Sequence, residues 1–149
     1  MRSLPVTFCA LSIGLAVKLC LPPGMAQAQE TGTAPQLMIE LNRLEQMKEA
    51  CRATFVLSNG LQSGIGEIAL ELVLFNTSGL VEQMRSFDFG QAAAGKTVVR
   101  RFDLGETRCA DISRILVNGV SKCSAPGINR SECGKALGTG NRTQAQFGM

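Results

Sequence analysis

The chain has 149 residues, 15 of them Lys or Arg and 12 Asp or Glu, and it contains no His, Trp or Tyr. It therefore lacks the commonest general base, the commonest metal ligand and the best stacking side chains. A formal net charge of +3 gives no electrostatic footprint for nucleic acid.

The N-terminus has the three parts of a secretory signal in order. Arg2 supplies a basic start. Residues 4–21 are apolar and small except for Thr7, Ser12 and Lys18, and Pro22-Pro23-Gly24 leads to the small-residue site Ala26-Gln27-Ala28. Cleavage is expected between Ala28 and Gln29. The apolar run before Lys18 is too short to cross about 30 Å of hydrocarbon, so no membrane span is expected after cleavage. Cys20 follows Lys18-Leu19, outside the pattern for lipid attachment. Removing the signal takes away Arg2 and Lys18, so the mature chain of 121 residues carries a net charge of +1 and is long enough for one domain with a real core. The signal also removes Cys9 and Cys20, leaving Cys51, Cys109, Cys123 and Cys133. An even number in an oxidising compartment reads as two disulfides, with three possible connectivities. Four thiolates also fit a zinc site, but no C-x-x-C pair and no His support one. The expectation is no metal, no cofactor and no catalytic set.

Residues 29–35 are polar, small and proline-terminated and read as a flexible leader, with the domain spanning 36–149. Leu37, Ile39 and Leu41 alternate as in a half-buried strand, while Leu37, Leu41, Leu44 and Met47 fit one face of a helix. The preferred reading is a strand over 36–43 followed by a helical turn. From Cys51 the alternation of Ala53, Phe55 and Leu57 predicts a second strand that ends at the turn signal Asn59-Gly60. The third is the strongest, with Ile68, Leu70, Leu72 and Leu74 on one face and Glu67, Ala69, Glu71 and Val73 on the other. Asn76-Thr77-Ser78-Gly79 makes a short loop, and residues 80–89 return as the other arm of a hairpin. After a connection over 90–95, strands are predicted at 97–104 and 112–120, with a short seventh over 142–147 in an otherwise polar C-terminal tail. No helix of core length is predicted after Cys51. Strands of this length separated by turns at roughly 8–12 residue intervals predict an all-β sandwich of about seven strands.

Gly90-Gln91-Ala92-Ala93-Ala94-Gly95-Lys96-Thr97 matches the phosphate-loop pattern G-x-x-x-x-G-K-[ST]. That chemistry needs a helix after the loop, whose N-terminus meets the phosphates. Here Val98-Val99-Arg100-Arg101-Phe102 predicts a strand, so no nucleotide is expected to bind. Asn76, Asn129 and Asn141 each begin a formal N-glycosylation triplet. Arg100 and Arg101 suggest an anion pair, but strand alternation sends them to opposite faces. Glu67 and Glu71 lie about 13 Å apart along a strand, too far for the carboxylate pair of glycoside hydrolysis.

The span 51–123 resembles a group of small periplasmic proteins of alphaproteobacteria. The resemblance rests on Cys51-Arg52-Ala53-Thr54-Phe55-Val56 leading to Asn59, on Leu72-Val73-Leu74-Phe75-Asn76 with Gly79, and on Arg101-Phe102-Asp103-Leu104. It also rests on Cys109 and on Ile115-Leu116-Val117-Asn118-Gly119-Val120 ending at Cys123. The apolar-aromatic strand, turn and glycine are similar to the central hairpin of FxLYD-type domains, which are immunoglobulin-like sandwiches; Phe75-Asn76 stands where that motif usually has Tyr-Asp. The resemblance implies an immunoglobulin-like fold and a periplasmic location, and carries no catalytic residues across. In an immunoglobulin-like arrangement the strands opening at Cys51 and after Cys109 lie in opposite sheets and run the same way, so their starts meet at one end. This implies the pairs Cys51–Cys109 and Cys123–Cys133. The function expected is that of a non-catalytic interaction or accessory module with an envelope protein as partner. The alternative is a redox protein using a cysteine beside a cation, as Cys109 follows Arg108 and Cys123 follows Lys122.

Overall fold

A computed structural model describes residues 36–149. The expected signal peptide 1–28, its cleavage site at Ala28 and Gln29 and the leader 29–35 lie outside the described residues. Among the described residues eight strands form two sheets: β1 (Leu37–Gln46), β2 (Cys51–Asn59), β3 (Ile65–Asn76), β4 (Val81–Ala92), β5 (Thr97–Asp103), β6 (Ile112–Ser124), β7 (Leu137–Asn141) and β8 (Gln146–Gly148). One sheet has the order β5-β2-β1-β7 and the other β4-β3-β6-β8. Both are mixed, because β7 runs parallel to β1 and β8 parallel to β6 while the other pairs are antiparallel. The chain is an all-β sandwich.

The strands exist because alternation puts one apolar row of each against the other sheet. Cys51, Ala53, Phe55 and Leu57 of β2 are buried, with half-buried residues between them. Ile68, Leu70, Leu72 and Leu74 of β3 face them across the core. Phe55 packs edge-on against Phe89 with ring centroids 5.5 Å apart and lies 5.7 Å from Phe147, and Phe102 meets both Phe87 and Phe89 edge-to-face. These rings join β2 and β5 of one sheet to β4 and β8 of the other, and aromatic pairs of this geometry add about 1 kcal/mol each to the burial of their surface.

The helical turn expected after residue 43 is absent. The first strand runs unbroken to Gln46, with a bulge between Leu41 and Arg43 in its pairing with β2. The extra residue, Asn42, reverses the alternation, so Leu44 turns inward opposite Ala53 and Arg43 turns out. That offset of three from Leu41 is what imitates helical spacing. The fourth strand runs on through Gly90, which was expected in a loop. Register passes from Ala69↔Asp88 to Ile68↔Gly90, and Gly90 takes φ 70°, a left-handed value that only glycine adopts without strain, while its N–H donates to Asp88 Oδ1 at 2.7 Å.

The C-terminal region is polar but is not a tail. Strand β6 reaches Ser124 rather than residue 120, and a short helix, α1 (Arg130–Ala136), follows. Asn129 caps it: its Oδ1 accepts from the Glu132 N–H, and Glu132 Oε2 accepts from the Asn129 N–H, a reciprocal box. Strand β7 then joins β1, and β8 joins β6. Leu137 and Ala145 are buried there.

The disulfides are Cys51–Cys109, with Cα atoms 4.8 Å apart, and Cys123–Cys133, at 6.5 Å. The first links the start of β2 to the 3-10 turn Cys109–Asp111 that precedes β6, and so joins the two sheets. The second ties β6 to α1. Near the first, Arg52 and Asp103 form a two-pronged ion pair across β2 and β5 at 2.7 and 2.9 Å, and Arg108 and Asp111 form another around the 3-10 turn.

Candidate functional site

Each sheet of an open sandwich has two edges, and an edge strand presents unpaired backbone N–H and C=O groups to any partner able to extend the sheet. Three of the four edges here are blunted. Strand β8 has three residues and β7 has five, which leaves little to pair with. Strand β5 has seven, and carries the adjacent cations Arg100 and Arg101. The fourth edge is β4, twelve residues long, with β3 on one side and, among the described residues, no strand on the other.

The two halves of β4 differ. In the second half, Phe87 and Phe89 are buried, and Arg100 reaches over from β5 to donate from Nε to the Phe89 carbonyl at 2.8 Å and from Nη2 to the Gln91 carbonyl at 3.4 Å. Arg100 and Arg101 do part to opposite faces, but Arg100 acts as a lid on the edge of β4 rather than as half of an anion pair. In the first half, no side chain among the described residues hydrogen-bonds the main chain between Val81 and Phe87. The apolar side chains are also most exposed there, with Leu80 at 65%, Val81 at 58% and Met84 at 59%. They sit at and beside the β3–β4 turn, which Asn76 holds by accepting from the Ser78 and Leu80 N–H groups at 3.0 and 2.9 Å, with Gly79 at φ 78°. The hydrogen-bonded turn, the long strand and the exposed apolar side chains single out residues 80–87 as the candidate site.

The phosphate-loop letters lie in a different setting. Gly90-Gln91-Ala92 ends β4, the Lys96 N–H donates to the Ala93 carbonyl at 3.1 Å in a tight turn, and Thr97 opens β5, not a helix. The loop is held from beneath by Asn59, which is 1% exposed. Its Nδ2 donates to the carbonyls of Ser63, Ala92 and Ala93 and its Oδ1 accepts from the Leu61 N–H. A residue read in the sequence as a turn marker is thus the polar anchor of two loops.

The remaining sequence candidates serve structure. Asn76 sets the hairpin, Asn129 caps α1, and Asn141 accepts from the Thr143 N–H and donates to the Ala145 carbonyl. Glu67 pairs with Lys122 at 2.9 Å and raises the ammonium's pKa by that hydrogen bond, while Glu71 accepts from Asn118. The hydrogen bond from Arg52 holds Asp103 below the usual carboxylate range, and Arg108 does the same for Asp111. Glu40 is lowered first by the amide of Asn42 and then by Arg142. An open cleft of about 770 Å³ near Cys109 is lined by Arg43, Arg142, other polar side chains and the apolar Leu44, Ala110, Ile112 and Ala145, and both guanidiniums are already paired, with Glu45 and Glu40. Among the described residues no group of three or more His, Cys, Asp or Glu is placed to hold a metal, and all four cysteines are in disulfides.

The β4 edge was not legible as a site beforehand. Its sequence, Val-Glu-Gln-Met-Arg-Ser, alternates weakly, and whether a strand lies at an edge is decided by the order of all the others. No family model, curated protein or solved structure matches the chain.

Proposed function

We propose that this chain is a non-catalytic, exported interaction module with an immunoglobulin-like sandwich, which recruits an envelope protein by strand addition along β4. The observation that carries the reading is the uncovered first half of that strand with Leu80, Val81 and Met84 exposed beside it. In strand addition the main-chain ladder gives affinity and alternate side chains give selectivity. The strand order supports the immunoglobulin-like assignment: β5-β2-β1 packs against β4-β3-β6, with a disulfide between the sheets from the start of β2 to the start of β6. The two disulfides favour an oxidising compartment, and no helix among the described residues is long and apolar enough to cross a membrane.

The test has two arms. Intact mass of protein recovered from the periplasm should start at Gln29; a species that keeps residues 1–28 overturns the export reading. The mature chain, immobilised, should retain a periplasmic protein that Val81→Lys and Met84→Lys each release without lowering the melting temperature. Retention that is equal for parent and variants removes β4 from the reading.

A further inference from the structure

We infer that the segment recruited by β4 alternates apolar and acidic residues, its carboxylates meeting Arg85 and Arg100 in the seam between β4 and β5. The inference rests on the strand-addition reading above and states the chemistry of the segment that is added.

A strand added to an edge continues the pleat, so its side chains divide between the same two faces as those of β4. The two faces differ in chemistry. On the outer face Val81 lies opposite Phe75 and Met84 opposite Val73, because the bulge at Glu82 puts Val81 and Met84 on one side. Apolar side chains of a partner set beside them remove exposed surface of both from water. On the inner face Arg85 lies opposite the buried Leu72, and its guanidinium stands over the Phe87 ring, 5.2 Å from the centroid. Arg100 enters from β5, where it lies opposite the buried Phe55, and holds the edge of β4 at the Phe89 and Gln91 carbonyls, just past the uncovered half. Phe87 and Phe89 both meet Phe102 of β5, so the two guanidiniums flank one seam.

Neither cation has a carboxylate partner among the described residues. Three of the five N–H groups of Arg100 go to the carbonyls of Phe89, Val99 and Gln91, which leaves two groups, and the charge, without an anion. The acids of β4 are engaged elsewhere: Glu82 accepts from Asn76, and Asp88 accepts from the Gly90 N–H. Lys96 and Arg101 stand at and in β5, also outside the ion pairs of the described residues, although the mature chain carries only +1 in all. Positive charge is thus concentrated where the edge is open, which turns away a basic strand and draws an acidic one. From Arg85 to Phe89 is about 13 Å along β4, and a strand with an acid at every second position offers a carboxylate about every 7 Å, so one short segment meets both cations.

Synthetic peptides matched in length to residues 81–87 test this against the exported chain, by fluorescence anisotropy at low salt. A peptide of alternating Val and Glu should bind. Its counterpart of Val and Gln should bind at least about tenfold more weakly, and a peptide with the same Val and Glu residues gathered into blocks should be weakened as much. Arg85→Gln and Arg100→Gln should each lower the affinity for the alternating Glu peptide by about fivefold or more and leave that for the Gln peptide unchanged. Of the two, Arg85→Gln disturbs the fold least, since Arg85 makes only its contact with the Phe87 ring. Equal binding of the Glu and Gln peptides, or a Glu peptide indifferent to both arginine variants, overturns the acidic chemistry and leaves strand addition standing. Equal binding of the block peptide overturns the alternation. If no peptide binds, the inference falls, while retention of a periplasmic protein that Val81→Lys and Met84→Lys release still decides the strand-addition reading by itself.

Discussion

The two disulfides bind different kinds of structure. Cys51–Cys109 closes a loop of 58 residues and fastens one sheet to the other at the end where Arg52–Asp103 and Arg108–Asp111 also lie. Cys123–Cys133 closes a loop of ten and fastens a seven-residue helix to the strand just before it. The first constrains how far the chain separates when the whole domain unfolds. The second holds an appendage whose own burial is slight, since Cys133 is the one buried residue of α1. A cross-link of the same chemistry is thus global at one end of the molecule and local at the other.

The largest effect should come from breaking the global link. Replacing Cys51 and Cys109 together with Ser is expected to cost about 4 kcal/mol on the chain-entropy estimate, a fall of roughly 15 °C in melting temperature. Cys51→Ser alone should also leave Cys109 reactive to a thiol reagent. Equal loss on removing either disulfide would abolish the distinction. Cys123→Ser with Cys133→Ser should cost less than about 3 kcal/mol, and hydrogen exchange should accelerate in α1 and β7 while β2 and β3 keep their protection. Asn129→Ala sharpens the same point without touching sulfur: loss of the cap should cost about 1 kcal/mol and loosen the same segment.

The smallest effect concerns pH. Asp103, Asp111 and Glu40 are held below their ordinary values by Arg52, by Arg108 and by Asn42 with Arg142. A lowered carboxylate contributes stability above its unfolded pKa and loses it as pH falls through the folded value. With no His and every described cysteine oxidised, the melting temperature should stay level between about pH 5 and 8 and decline only below about pH 4. The Cys51–Cys109 end, which holds two of the three pairs, should loosen first in acid by hydrogen exchange.

What the sequence disclosed follows the same division. The strands β2 and β3 were legible because each buries a full apolar row, so period-two alternation over eight or more residues announces them. The first strand was ambiguous because the bulge at Asn42 shifts Leu44 into helical spacing with Leu41. The C-terminal elements were obscured for another reason. Helix α1 is too short for its periodicity to show, although Asn129 and Glu132 spell a capping box, and β7, Leu-Gly-Thr-Gly-Asn, holds two residues poor at forming strands. It is a strand because β1 is already there to receive it. Edge status at β4 is likewise a property of the assembled order and has no local signal.

That parallel pairing of β7 with β1 also decides how the domain bears a load. The five register pairs from Leu37↔Leu137 to Leu41↔Asn141 join a strand near the start of the domain to one near its end. Tension applied along the chain at residue 37 and residue 141 runs lengthwise through two strands pointing the same way. Their hydrogen bonds are then sheared together and must fail as a group, whereas a hairpin pulled at its open end unzips one rung at a time. Once they fail, the stretches closed by the two disulfides stay out of the extension. The sandwich is built as a short mechanical clamp, stiff along the line joining its ends and limited in how far it can lengthen.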